Sequence, residues 1–246
     1  MFYYINELII FILYYSLFTV GDYSLYFITN KLNDVVCRKN KRTTVVDIPN
    51  IIDWSIGNSI SYTFIYLIYT NKIGYLYLNI DDRSGVYTIV SPFIYLFYQD
   101  LAFYLTHRLA HTPFLYKKFH HIHHLYRRPS SWTTRISHYV DSNLENIAFT
   151  LPALFFPIHI YIWMTCMIFT LMWGNFIHDG TNQINLKLLN DNIDHCLHHS
   201  YGEKNCNFSY YFNHWDKIFG TYKKIKLLNI KSMYYTINKQ VKFYIK

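Results

Sequence analysis

Residues 106–124 read THRLAHTPFLYKKFHHIHH, and residues 195–199 read HCLHH. These stretches contain three histidine boxes with the spacings HxxxH, HxxHH and HxxHH. The boxes consist of His107 and His111, then His120, His123 and His124, then His195, His198 and His199. All 13 histidines of the chain lie between residues 107 and 214. This concentration indicates a fold built around a site that needs many imidazoles in one place.

Helix geometry gives the box spacing a meaning. Residues three or four apart share one face of a helix, so each box can direct two or three imidazoles to one place. Imidazole suits iron, zinc, copper and nickel. The boxes offer more ligands than one four-coordinate zinc ion takes, so the pattern predicts two metal ions with open positions. By contrast, His121, His159 and His214 are expected to be ordinary core or surface residues.

An acidic residue precedes the first box on the same predicted helical stripe. Asp100, Tyr104, His107 and His111 follow spacings of 4, 3 and 4. A carboxylate inside an apolar stretch is costly and is a functional candidate by default. We expect Asp100 to orient a ligand imidazole. The alternative is a carboxylate that pairs with Arg108 or lines a polar seam.

Composition narrows the class of protein. The 246 residues are 52% hydrophobic and only 15% charged, which excludes a disordered chain and suits one or two folded domains. The four cysteines form no CxxC pair, so neither a disulfide scaffold nor a zinc ribbon is expected. The formal net charge is +8, but the basic residues form no DNA-binding motif, and no nucleic-acid partner is expected.

The distribution of apolar residues predicts an all-α, multi-pass membrane protein. The apolar stretches cover residues 8–28, 54–69, 86–106 and 147–177. Basic blocks between them are typical of cytosolic loops and place the histidine boxes on the cytosolic face. The residues after the last stretch are expected to share a membrane face with residues 107–124, so this stretch must enter the membrane and return. It is too short for two full crossings, and we therefore predict a bent hairpin with its break near Pro157. One long tilted span is the alternative.

Further motifs carry a resemblance to a known family. His138-Tyr-Val-Asp141 resembles a His-Pro-Ile-Asp motif with Tyr139 in place of proline, and Phe156-Pro-Ile-His159 resembles Phe-Pro-Leu-His. Ile177-His178-Asp179-Gly180 and the stretch Trp215–Gly220 also have counterparts. With the boxes, these motifs make residues 90–225 similar to the fatty acid hydroxylase/sterol desaturase superfamily, and most similar to its sterol C-5 desaturase (lathosterol oxidase) branch.

The resemblance implies a domain plan and a site. Residues 1–85 would form membrane anchor spans, residues 86–225 the catalytic domain and residues 226–246 a basic tail. The implied metal ligands are His107, His111, His120, His123, His124, His178, His195, His198 and His199. The residues implied to lie around them, besides Asp100, are His138, Asp179, Asp194 and Asp216.

The resemblance also implies a reaction. The family consists of non-haem di-iron oxygenases of the endoplasmic reticulum, and this branch places the C5–C6 double bond in a Δ7-sterol. The implied cofactors are two iron ions, for which zinc can substitute, and O₂. The implied electron source is NAD(P)H, through cytochrome b5 and its reductase. The chain has no GxGxxG motif, so the electron donor is expected to be a separate protein. Acidification below about pH 6 is expected to protonate the ligands and release metal.

Three other readings remain open at this point. The first is another activity of the superfamily, such as C-4 methyl sterol oxidation, sterol hydroxylation or 2-hydroxylation of a lipid acyl chain. The second is a membrane metal transporter, although transporters place their ligands at the midplane of several spans. The third is a purely structural membrane protein, which gives no reason for the box spacing.

Overall fold

The computed structural model describes residues 74–127, 129–179, 188–201 and 206–224, together with parts of 13–31 and 55–70. These residues are mostly helical, as predicted. The regular elements are β1 (Leu76–Tyr77), α1 (Gly85–Ala110), α2 (Pro113–Lys118), α3 (Tyr139–Thr150), β2 (Ile158–His159), α4 (Ile160–His178), α5 (Asn192–Tyr201) and α6 (His214–Ile218). Short 3-10 helices cover Ile80–Asp82, His120–Leu125, Ser131–Thr133 and Leu151–Leu154.

Helix α1 is the longest element and carries the first box to the site. It begins after Ser84, whose hydroxyl accepts a hydrogen bond from the backbone N–H of Tyr87. Its 26 residues extend about 39 Å at 1.5 Å per residue. The whole predicted third span, residues 86–106, therefore lies in one helix, and His107 lies in its last turn. Its polar residues Gln99 and Asp100 are fully buried, so they face protein.

The fourth apolar stretch bends back on itself. Helix α3 leads away from the histidines and α4 returns to them, because Asp141 at the start of α3 contacts His120, and His178 at the end of α4 contacts His123. The predicted hairpin geometry is therefore confirmed, and a single straight span is wrong. The break covers residues 151–159, where Pro152 and Pro157 interrupt helical hydrogen bonding.

A two-residue parallel ladder fixes this turn, which an all-α prediction did not include. Leu76 pairs with Ile158 and Tyr77 with His159. The His159 ring also joins the two segments, since its Nε2 lies 2.9 Å from the carbonyl oxygen of Leu78. The expectation that His159 is structural is confirmed.

Helices α1, α3 and α4 pack around a shared hydrogen-bonded core. Because α3 ends at Thr150, the carbonyl of Phe149 lacks a partner within its helix. The Tyr95 hydroxyl and the Gln99 amide both donate to it, at 2.7 and 2.9 Å. The Trp163 indole of α4 in turn donates to the Tyr95 oxygen at 2.8 Å. One freed carbonyl thus fixes three helices relative to one another.

Among the described residues, one helix is long and apolar enough to cross a membrane, namely Ile160–His178. The predicted first and second spans are described only in part. Multi-pass insertion and the cytosolic orientation of the site therefore stay predictions.

Candidate metal centre

The nine histidines named as ligands come together in two buried clusters. In each cluster one ligand nitrogen per residue lies within 4.8 Å of all the others. The first cluster contains His107, His111, His120, His124 and His198, and the second contains His123, His178, His195 and His199. Two clusters agree with the expectation of two ions. Their role as metal ligands stays a prediction.

The boxes do not map one to one onto the clusters. The second box forms a 3-10 helix, and it sends His120 and His124 to the first cluster but His123 to the second. The third box, on α5, sends His198 to the first cluster and His195 to the second. The expectation that each box directs at least two imidazoles to one place is confirmed by His107 and His111, by His120 and His124, and by His195 and His199. The HxxHH boxes lie between the clusters and contribute to both.

Local capping places the third box. The carboxylate of Asp191 accepts hydrogen bonds from the backbone N–H groups of Ile193 and Asp194, at 3.0 and 2.9 Å. This satisfies donors that have no partner in the first turn of a helix. Helix α5 therefore begins at Asn192, and His195 and His199 share the face toward α4.

Hydrogen bonds to backbone carbonyls fix several imidazole tautomers. Nδ1 of His107 lies 2.9 Å from the carbonyl of Phe208, and Nδ1 of His198 lies 2.7 Å from that of Cys206. A carbonyl only accepts, so each Nδ1 carries the proton and each Nε2 keeps its lone pair. The Nε2 atoms of His107 and His198 are buried without a hydrogen-bond partner.

In the second cluster the lone pairs face one another. Nδ1 of His178 donates to the carbonyl of Gly174 at 2.8 Å, and Nδ1 of His123 to that of Ile136 at 3.4 Å. Their Nε2 atoms nevertheless lie 3.3 Å apart. Two neutral rings in these tautomers cannot hydrogen-bond to each other. A shared cation removes this conflict, so the arrangement fits a metal.

The nitrogen spacing also suits a metal. The Nε2 atoms of His195 and His178, and those of His199 and His195, are both 3.1 Å apart. Nitrogens bound at about 2.1 Å around one tetrahedral or octahedral ion are about 3.0 to 3.4 Å apart. The donor set of neutral imidazoles suits iron or zinc.

One carboxylate contacts a ligand ring directly. Both oxygens of Asp141 lie 2.9 Å from Nδ1 of His120. Such a carboxylate fixes the ring orientation and raises the basicity of the other nitrogen. Our sequence reasoning did not give Asp141 this role, although the HxxD motif at 138–141 was a usable signal.

We expect Asp141→Asn to weaken metal binding about 10- to 100-fold, the usual effect of losing an outer partner of a ligand histidine. The neutral amide removes the negative charge behind His120. Competition with a chelator measures the change in metal affinity. The matched control is Asp82→Asn, because Asp82 is exposed in the turn before α1. Equal affinities of the two variants would contradict this role.

Two carboxylates that were predicted to orient ligand imidazoles, those of Asp100 and Asp216, bind the backbone of a loop. Asp100 accepts hydrogen bonds from the N–H groups of Tyr210, Tyr211 and Phe212, at 2.7 to 3.2 Å. Asp216 accepts from the N–H groups of Phe208 and Ser209. The expected direct contact of Asp100 with an imidazole is therefore wrong. Both carboxylates bind the backbone of residues 208–212, and the carbonyl of Phe208 in turn contacts the ring of His107.

This loop, residues 208–212, links the carboxylates to the first cluster. The Phe208 N–H donates to Asp216, while the Phe208 carbonyl accepts from His107. Tyr210 packs so closely against α4 that a Cβ at Gly174 would collide with its hydroxyl. A glycine at this position therefore lets α4 and the loop approach each other next to His178.

The other predicted outer residues have structural contacts. Nδ1 of His138 accepts from the N–H of Val140 at 3.1 Å and caps α3, so a role beside the ligands is not supported. The backbone carbonyl of Asp179 accepts from Asn192. The Tyr222 hydroxyl donates to Oδ2 of Asp194 at 3.5 Å.

Burial keeps the imidazoles neutral. Desolvation, helped by the neighbouring His120, lowers the pKa of His123 from 6.5 to about 4. Desolvation and neighbouring histidines also lower the pKa values of His111, His195 and His199. The ligand nitrogens of these four residues are therefore unprotonated at neutral pH, which is the form that binds metal.

The metal-free protein should lose stability as the pH falls below 6.5. The unfolded chain takes up protons near pH 6.5, whereas His123 in the folded chain takes one up near pH 4. The stabilisation is complete above pH 6.5 and decreases between these values. Thermal unfolding between pH 8 and pH 4 tests this expectation. His123→Gln should flatten the pH dependence, with His121→Gln as the control, and an unchanged slope would contradict it.

Two cavities lie beside the clusters. The larger, of about 530 Å³, is lined mainly by apolar side chains such as Tyr62, Trp163, Met167 and Leu171. The smaller, of about 20 Å³, is lined by four of the cluster histidines. Arg135 and Phe149 line both cavities. An apolar molecule in the larger cavity would therefore extend toward the histidines.

Curated proteins with similar sequences are sterol desaturases or lathosterol oxidases by name. The chain is 30% identical over 151 residues to Delta(7)-sterol 5(6)-desaturase ERG3B of Gibberella zeae, which covers 60% of this chain and 46% of that protein. It is 28% identical over 170 residues to lathosterol oxidase of Mus musculus, which covers 67% and 56%. The chain thus spans about half the length of the curated relatives it matches. No solved structure matches it.

The family assignment rests on more than half of the chain. Residues 92–221 match the family model described as fatty acid hydroxylase. The matched segment contains all nine cluster histidines, both carboxylates that hold the 208–212 loop, and the hairpin of α3 and α4. The chain therefore belongs to the fatty acid hydroxylase family.

Proposed function

We propose that this protein is a membrane sterol desaturase that introduces the C5–C6 double bond into a Δ7-sterol. The observation that carries the proposal is an apolar cavity of about 530 Å³ that shares Arg135 and Phe149 with the small cavity lined by cluster histidines. A cavity of this size lies in the range of small-molecule sites. The names of the similar curated proteins favour a sterol over other lipids.

The histidines would hold two iron ions. Five neutral imidazoles in one cluster and four in the other leave the charge of the metals uncompensated by ligands. Bound iron would supply the O₂-dependent oxidation of an unactivated C–H bond, which no side chain performs alone. The chain itself keeps the ligand rings in the required tautomers through Asp141 and the carbonyls of Phe208, Cys206 and Gly174.

The cavity walls would bind and orient the sterol. Phe149 stacks on Phe103 at 5.2 Å between ring centroids and closes the apolar side of the smaller cavity. These rings exclude water from the region next to the histidines, which favours oxidation of substrate over side reactions. The size of the smaller cavity leaves room for little more than the reacting end of a substrate.

Electrons would come from outside the chain. We propose NAD(P)H as their source and cytochrome b5 with its reductase as the carriers. The basic residues near the second box, including Lys117 and Lys118, are exposed and would suit an acidic partner. The proposed location is the endoplasmic reticulum membrane, with the metal site on the cytosolic face.

A sterol profile by mass spectrometry tests the proposal. The gene is expressed in yeast that lacks its own sterol C-5 desaturase, with His123→Ala as the matched inactive control. We expect Δ5,7-sterols with the wild-type chain and none with the variant. An unchanged profile, with the protein shown to be in the membrane, would contradict the proposal. New alcohols in the lipid extract would then favour hydroxylation.

A further inference from the structure

The larger cavity is apolar along most of its wall but has a polar group at one place. Arg135, Asn146 and Asn58 line it together, and they form one hydrogen-bonded unit. The Arg135 guanidinium donates to Oδ1 of Asn146 at 3.3 Å. The Asn146 amide donates to Oδ1 of Asn58 and to the carbonyl of Gly57. These contacts join the loop before α3, the helix itself and the segment near residue 58.

This polar unit lies on the side of the cavity nearest the metal centre. Arg135 lines the smaller cavity too, together with His107, His123, His178 and His195. The two threonines of the larger cavity donate their hydroxyl hydrogens within their own helices. The hydroxyl of Thr150 donates to the Asn146 carbonyl of its own helix, and that of Thr170 donates to the Cys166 carbonyl.

We propose that Arg135 and Asn146 bind the hydroxyl group of the substrate and turn its polar end toward the metal centre. This inference rests on the proposed sterol substrate and adds its orientation. A hydroxyl both donates and accepts: the Arg135 guanidinium offers N–H donors, and Oδ1 of Asn146 offers an acceptor, while both amide hydrogens of Asn146 are donated to Asn58 and Gly57. A ligand with one polar group on an apolar body matches a cavity with one polar unit on an apolar wall.

The orientation explains which carbon is oxidised. In a sterol the hydroxyl is on C3, and C5 is only two bonds away along the ring. A hydroxyl held at the junction of the two cavities therefore leaves the neighbouring ring carbons beside the histidines. The apolar tail then fills the larger cavity, against Trp163, Met167 and Leu171. In the opposite orientation the tail would face the metals, and oxidation would occur far from the hydroxyl.

Binding measurements on the full chain test the orientation without turnover. The protein is purified with zinc in place of iron, and tritiated lathosterol is displaced by unlabelled lathosterol, by its 3-deoxy analogue or by palmitate. We expect wild type to bind lathosterol about 10-fold more tightly than the 3-deoxy sterol, the factor typical of a hydrogen bond to a charged group. Arg135→Met should reduce this preference to about 1, with the affinity for the 3-deoxy sterol unchanged. Arg83→Met is the control, because Arg83 is exposed in the turn before α1.

Each result has a separate meaning. Equal wild-type affinities for the two sterols would overturn the hydroxyl site while leaving the sterol assignment intact, and this comparison needs no variant. A preference that survives in Arg135→Met would overturn the assignment to Arg135. Absence of sterol binding would overturn the proposed function as well, and displacement by palmitate alone would indicate a fatty acyl substrate.

Discussion

Replacing His198 with alanine is expected to abolish sterol oxidation while the protein still inserts into the membrane. His198 is fully buried in the first cluster, and the Cys206 carbonyl fixes its Nδ1 proton, so that its Nε2 lone pair is free for metal. The loss of a ligand should exceed the roughly 100-fold upper range seen when an outer partner is lost. His123→Ala should have the same effect through the second cluster, because both ions are needed for the proposed reaction.

Metal analysis separates this loss from misfolding. Elemental analysis of purified His198→Ala should show less bound metal than wild type, with the remaining ion held by the second cluster. His121→Ala is the matched control, because His121 lies within the second box sequence, between His120 and His123, but outside both clusters. We expect the control to keep wild-type metal content and activity. Activity close to wild type in His198→Ala or His123→Ala would contradict the ligand assignment.

The sequence was sufficient to predict which histidines meet, because their chemistry is encoded in short spacings. The boxes named eight of the nine cluster residues, and the resemblance added His178. The hairpin of α3 and α4 also followed, since proline and the length of the apolar stretch are local properties. The spans predicted in the first 73 residues are described only in part, and nothing tests whether they cross a membrane.

The division of the boxes between clusters could not be predicted from spacing. In both HxxHH boxes the first and last histidines share a cluster and the middle one joins the other cluster, although one box lies on a 3-10 helix and the other on an α-helix. The pattern alone does not say which of the two later histidines stays with the first. The contacts of Asp100 could not be predicted either, because its partners lie 110 to 112 residues away. Helical periodicity placed Asp100 on the stripe of His107 but said nothing about the loop that covers this stripe.

Replacing Asp100 with alanine is expected to lower the free energy of unfolding by roughly 3 kcal/mol or more, since each buried backbone donor left unsatisfied costs about 1 to 3 kcal/mol. Three such donors, the N–H groups of Tyr210, Tyr211 and Phe212, depend on this one fully buried carboxylate. Chemical unfolding in detergent measures the loss. Asp82→Ala is the matched control, because Asp82 is exposed.

Metal affinity shows whether Asp100 also supports the site through the loop. Because Phe208 begins this loop and its carbonyl fixes the tautomer of His107, loosening the loop should also weaken metal binding by the first cluster. Asp100→Asn keeps one oxygen acceptor and should recover part of the stability and of the metal affinity. If Asp100→Ala lost stability but bound metal as tightly as wild type at a temperature where both are folded, Asp100 would serve the fold alone. If stability were unchanged, the three hydrogen bonds would not contribute as the structure indicates.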